Sequence, residues 1–255
     1  MPVVAPQTKY GQIIDAVNER LRTGKPVGEH DVFWFNRLKQ DAERLLKIDP
    51  ADGHIALAAL MQLKWDEDKA SYHVRCAKTA RPTIGTTTQE VALLSNFGRF
   101  SKASPLLEEA LDPRNGFFVD NYLAALSCGA FRAASANLRK AIDMEINLPD
   151  LPVDAVNKAI NVLSAAEITD EQTAMALDVA GEILRERKLF WIGESVEVNV
   201  DDDPGHLPTV FFTFRIRETA EIAASMTYEL YERLFERYPD HPSCFNLGFR
   251  SAIPE

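Results

Sequence analysis

Two histidine–cysteine pairs stand out among the residues whose type and spacing could do chemistry. His73 and Cys76 lie three residues apart, one turn on a helix, and could offer two ligands to a metal. His241 and Cys244 repeat that spacing across Pro242, and His206 would add a third ligand if the chain brought it near. Neither pair has another close to it in sequence, and His73 and Cys76 fall among positions spaced for packing, so the alternative is an ordinary core. As a nucleophile Cys76 would need His73 as its base and a third group to orient both, and the sequence offers no obvious one. The run Asp201-Asp202-Asp203 could hold a divalent cation, but it lacks the calcium-loop spacing and its closing Glu and reads as a solvated turn. The phosphate-cradling GxxxxGK[ST], the dinucleotide GxGxxG, the GxSxG elbow and the HExxH zinc motif are all missing. No catalytic residue, metal or cofactor is therefore assigned, and a non-enzymatic role is expected.

Bulk properties narrow the partners. The chain has 255 residues, 46% of them hydrophobic and 26% charged, which suits a folded protein with a real core. Its net charge of −10 disfavours phosphate backbones and anionic membranes. The acid is unevenly spread: from Phe190 onward there are five Arg, no Lys and twelve Asp or Glu, a balance of −7. Such a surface suits a basic partner, or serves solubility alone. Three scattered cysteines without a CxxC argue for a reducing compartment, and no signal-like or membrane-spanning run is seen, so a soluble cytoplasmic protein is expected.

The elements that must position these residues follow a repeat. Ala70, Val74 and Ala77 are spaced four and three apart. Ala103, Leu107 and Ala110 repeat the pattern, as do Ala134, Leu138 and Ala141, at intervals of 33 and 31 residues between first alanines. Leu38, Ala42, Leu45 and Pro50 form an earlier half-unit. Gly98 and Gly129 stand five residues before the first alanine of their units, where the earlier unit has Trp65. Small residues seven apart mark a helix face that a neighbour can approach closely, and the intervening Val or Leu fills the hollow. These residues, about 35–145, resemble the tetratricopeptide repeat, although the first helix of each unit matches poorly. The resemblance implies antiparallel helical hairpins stacked into a solenoid. Helical stripes at Tyr10–Leu21, Ala155–Ala166 and Glu171–Leu189 are expected to extend the stack, with a loop at 147–152 between them. Thr169 and Gln172 have capping-box spacing.

After Leu189 the period changes to two. Val196, Val198 and Val200 alternate with polar residues, as do Val210, Phe212, Phe214 and Ile216 after an Asp201–Gly205 turn, and then Phe245, Leu247 and Phe249. Between them Glu218–Tyr238 is an amphipathic helix with Ile222, Met226, Leu230, Leu234 and Phe235 on its apolar side and Tyr228 and Tyr231 partly off it. The fold expected is mainly α: a tetratricopeptide-like helical domain over 1–189, then a small β-β-α-β domain over 190–255.

The resemblance implies a groove lined by the first helices, here about Asp52–Leu63, Gly85–Asn96 and Gly116–Ser127, none of which contains Lys or Arg. Gln62, Gln89, Ser95, Asn96, Asn121 and Ser127 would offer neutral hydrogen bonds there, and Val119 and Leu123 apolar contact. The function expected is a scaffold or adaptor for a protein or peptide, with Asp201, Asp202 and Asp203 steering a basic partner or the C-terminal sheet joining two copies. An antitoxin- or immunity-type inhibitor and an enzyme assembled from dispersed residues are the alternatives.

Overall fold

Short polar caps and prolines cut the chain into helices. Thr8, Asp49, Asp66, Thr83, Thr169 and Thr219 each accept a hydrogen bond from the backbone N–H three residues on, satisfying donors that a helix start leaves open. The computed structural model describes residues 8–146, 151, 153–191, 196–203 and 205–253, with only the backbone of Glu109 and Val196. The loop expected at 147–152, apart from Leu151, and the extreme N-terminus lie outside the described residues.

The helices are α1 (Lys9–Leu21), α2 (Val32–Ile48), α3 (Pro50–Leu63), α4 (Glu67–Ala80), α5 (Ile84–Asn96), α6 (Phe100–Ala103), α7 (Leu107–Ala110), α8 (Phe118–Ser127), α9 (Phe131–Asp143), α10 (Val153–Ala165) and α11 (Asp170–Glu186). Then come β1 (Val196–Asp201), β2 (Thr209–Ile216), α12 (Ala220–Arg237) and β3 (Phe245–Ser251). The protein is thus mainly helical with a small three-stranded sheet after Leu189, as expected. Each helix from α1 to α9 packs on its neighbours in sequence, and α3 also touches α1 and α5, an arrangement compatible with a helical repeat. The repeat positions of the three full units are all buried (Ala70, Val74, Ala77, Ala103, Leu107, Ala110, Ala134, Leu138 and Ala141), whereas in the earlier half-unit only Ala42 is, Leu38 and Leu45 being half-buried and Pro50 exposed. The third unit's second helix is split by a 3-10 turn at Ser104–Leu106, because Pro105 has no N–H to give the ladder.

The backbone explains both glycines and their one replacement. Trp65, Gly98 and Gly129 sit at the same turn of successive units with φ of +58°, +61° and +73°. Glycine adopts this left-handed region freely and tryptophan does not. Trp65 stays there because its ring packs on Phe97 and Phe190, centroids 5.4 and 4.4 Å away.

The pair α10–α11 does not simply extend the stack. α10 packs on α9, but α11 crosses the row of turns and runs back to α6. Thr173 Oγ1 donates to the Gly129 carbonyl at 2.6 Å, and Gly181 lies against the backbone of Gly98. Beyond the helix end, the Phe190 N–H reaches the Gly24 carbonyl at 2.9 Å. The acids of α11 cap the helices that begin at these turns. Asp170 accepts from the N–H groups of Arg132 and Ala133, and Asp178 from the N–H and hydroxyl of Ser101. Neither α6 nor α9 has a side-chain cap of its own.

In the sheet, β1 runs antiparallel and β3 parallel to β2, in the order β1-β2-β3. Register places Val198 and Leu247 beside Phe212, and Phe249 beside Phe214, on one apolar face. That face is covered by α12 and also by helices of the N-terminal part. Phe131 of α9 and Phe100 of α6 stack on Phe212 and Phe214, so one buried cluster runs from Val91 to Phe249. A second cluster joins α1 to α5, from Ile13 to Phe97. Thr227 of α12 both donates to the Phe249 carbonyl and accepts from its N–H, closing part of the β3 edge. Among the described residues no helix is long and apolar enough to cross a membrane.

Candidate functional site

Alternation of small and amide side chains on α1, α3 and α5 builds a narrow slot between the three helices. Ile14, Val17, Asn18 and Leu21 come from α1, Ile55, Ala58, Ala59 and Gln62 from α3, and Gln89, Ala92, Leu93 and Asn96 from α5, with Val74 beneath. The alanines leave room and the amides border it. Its volume is about 50 Å³, enough for a few water molecules or the tip of one inserted group. Gln62 is only 4% exposed, and its Nε2 has no hydrogen-bond partner among the described residues. A buried amide nitrogen left unpaired costs about 1–3 kcal/mol, so the slot floor carries an unspent donor. Carboxamides neither give up protons nor attack carbon at ordinary pH. What this set can do is hydrogen-bond a neutral acceptor, such as a peptide carbonyl, between apolar walls.

Of the residues expected to line a groove, Gln62, Gln89 and Asn96 are brought together here. Asn18 joins them and was not anticipated; its place beside Val17, in the apolar stripe of α1, is the signal that could have found it. Ser95, Asn121 and Ser127 turn inward instead, a correction to that expectation. The Ser95 hydroxyl lies 3.2 Å from Cys128 Sγ, Asn121 Nδ2 donates to the Ala110 carbonyl at 2.9 Å, and Ser127 Oγ donates to the Leu123 carbonyl of its own helix. Leu123 is exposed and Val119 half-buried, both on α8 and outside the slot. Asp201, Asp202 and Asp203 are exposed. Asp202 is taken up by Lys158 at 2.8 Å, which holds its carboxyl below the usual range.

Gln62 can be tested directly. Gln62→Met keeps the volume and removes the orphan amide, so stability in urea is expected to hold or rise by up to about 1 kcal/mol. A loss larger than that would mean the amide is satisfied by ordered water and is part of the packing.

The histidines separate into different environments. His73 meets His54 of α3 rather than a ligand set with Cys76: the two Nδ1 atoms are 3.0 Å apart, so one ring donates and the other accepts. Burial lowers the pKa of both, and His54 lowers that of His73 further. His241 accepts burial at the α12–β3 loop, with Nε2 2.7 Å from the Phe245 carbonyl; burial again lowers its pKa. His206 is exposed on the β1–β2 loop. Burial raises the Cys244 thiol, and pushes the fully buried Cys128 up to about 12. Among the described residues no three His, Cys, Asp or Glu gather at metal-binding spacing.

These shifts predict a pH dependence. A histidine whose folded pKa is depressed binds protons better when unfolded, so stability falls as pH drops below its ordinary value of 6.5. The urea midpoint is expected to decrease between about pH 7.5 and pH 5.5, above the carboxylate range. His54→Gln with His73→Gln should flatten that slope, and a midpoint constant over this window in the parent protein would contradict the assignment.

No protein-family model, curated protein or solved structure matches this chain.

Proposed function

We propose that the protein is a cytoplasmic interaction scaffold of tetratricopeptide-like geometry, whose first-helix face receives an uncharged or mildly basic segment of a partner protein. The observation that carries this reading is the slot between α1, α3 and α5, where Gln62 keeps a buried donor unpaired beside Asn18, Gln89 and Asn96. An inserted carbonyl group would satisfy that donor, and the small walls of Ala58, Ala59 and Ala92 leave room for the tip of one such group. None of the residues that line the slot is Lys or Arg, which argues against an anionic ligand there. The repeat geometry is supported by the left-handed turns at Trp65, Gly98 and Gly129, which recur at the intervals of the buried alanines.

The test is purification of the tagged protein from its native cells beside a Gln89→Arg, Asn96→Arg variant that fills the slot with charge. One protein retained by the parent and lost from the variant, with equal thermal midpoints for both, is the expected outcome. Identical sets of companions would remove the slot as the contact.

A further inference from the structure

The outward face of α12 combines aromatic rings with unspent negative charge. Ala223, Met226, Leu230 and Leu234 are buried against the rest of the protein. On the opposite side Tyr228, Tyr231 and Phe235, spaced three and four apart, form one stripe and are 69, 42 and 73% exposed. Glu232 and Glu236 lie next to that stripe, one turn apart, and have no hydrogen bond or ion pair among the described residues. The cations of this helix are spent elsewhere. Arg233 is held by Glu186 and Glu229, and Arg237 by Glu182, all toward α11. The other arginines of the C-terminal segment are also engaged: Arg215 and Arg250 with Glu197, and Arg217 with the Arg22 carbonyl.

We propose that this face docks a cationic, Arg- or Lys-bearing segment of a partner protein. Aromatic rings left in water attract cations through their faces, and carboxylates one turn away fix the same charge, so the two features select one ligand chemistry. The face argues against the other occupants. A second copy meeting it by twofold symmetry would bring four carboxylates, Glu232 and Glu236 of each copy, into one interface while Arg233 and Arg237 are already paired. Nucleic acid and anionic membranes carry the wrong sign. The structure therefore moves the steering charge of the C-terminal segment from the Asp201–Asp203 turn, where Lys158 already takes Asp202, to α12. This site is separate from the α1–α3–α5 slot and does not depend on it.

The probe is a fluorescein-labelled octa-arginine peptide, followed by anisotropy at about physiological ionic strength. Tyr228→Ala with Phe235→Ala removes two rings and no charge, and is expected to weaken binding roughly tenfold. Glu232→Gln with Glu236→Gln should weaken it as well, whereas Asp201→Asn with Asp203→Asn, the same loss of charge elsewhere, should leave it unchanged. Tyr228→Phe with Phe235→Tyr keeps the rings and should keep the affinity. The proposal is overturned if the two charge variants weaken binding equally, or if loss of the rings changes nothing. Light scattering that shows a dimer of the parent protein, dissolved by the ring variant, would overturn it in favour of a second copy.

Discussion

Gly181→Ala is expected to destabilise the protein by about 3 kcal/mol or more, because a methyl group there has no room to be accommodated. A Cβ built on Gly181 lands inside the backbone of Gly98, on its carbonyl oxygen, carbonyl carbon and Cα. Backbone atoms cannot swing aside as a flexible side chain can. Relief would require α11 to lift off the turn between α5 and α6. That movement would loosen the Asp178 cap on Ser101 and the Arg185 Nη1 bond to the Phe97 carbonyl at 2.9 Å. Gly98→Ala should cost at least as much, since it adds a left-handed φ to the same collision. Gly116 serves as the control: nothing lies within 4 Å of a Cβ there, so Gly116→Ala should stay within about 0.5 kcal/mol of the parent. Urea denaturation of the three variants decides the matter. A parent-like midpoint for Gly181→Ala would mean that α11 does not lie across the turn row.

This contact also shows where the sequence was legible and where it was not. Local chemistry was readable. The capping box at Thr169 and Gln172 is present, and alternation located all three strands. The spacing of small residues picked out buried positions in every unit. What escaped was placement at long range. Nothing local in α11 says that its acids cap helices elsewhere, because Asp178 and Ser101 are 77 residues apart. The glycines at 98 and 129 read as turn residues, which they are, but they also admit α11, and Trp65 is tolerated where that helix has ended.

The candidate site was partly legible for a related reason. The resemblance implied which first helices line a groove, and Gln62, Gln89 and Asn96 of α3 and α5 do border the slot, whereas α1, its third wall, was not expected there. The resemblance could not tell which polar residues would be consumed inside. Asn121 and Asn115 both donate to the Ala110 carbonyl, at the end of the short helix that follows Pro105. A helix end with no continuation leaves carbonyls that must be satisfied, and Asn121 is drawn inward to do so. The stripe on α12 was visible only in its tyrosines, since Phe235 reads as part of the apolar side and is 73% exposed. Its meaning depended on Arg233 and Arg237 being paired across to α11, which only the packing reveals.

Phe214→Ala should cost about 3–5 kcal/mol and should show that sheet and helices melt together. Phe214 is fully buried in the central strand, and its ring meets four others. Phe212 and Phe249 lie in the sheet at 5.1 and 5.7 Å, Phe100 on α6 at 5.5 Å, and Trp191 at 6.0 Å. Removing it leaves a cavity bounded by both the helices and the sheet, and neither wall can close it alone, since Phe100 is anchored by α6 and Phe249 by the β2–β3 ladder. At roughly 2–4 °C per kcal/mol for a chain of this size, the midpoint should fall by about 10 °C. The informative feature is which signals fall. Helical ellipticity reports mostly α1–α11, with α12 a minor share, and in a Trp34→Phe, Trp65→Phe background the fluorescence of Trp191 reports the contact between Phe100 and Phe214. If the buried cluster from Val91 to Phe249 acts as one unit, both signals should shift to the same lower midpoint. If the last 66 residues hold a core of their own, the fluorescence should move alone while the ellipticity keeps the parent midpoint. The same reasoning predicts that a chain ending at residue 189 will not fold cooperatively, because the faces of Phe100 and Phe131 that now meet Phe214 and Phe212 would open to water.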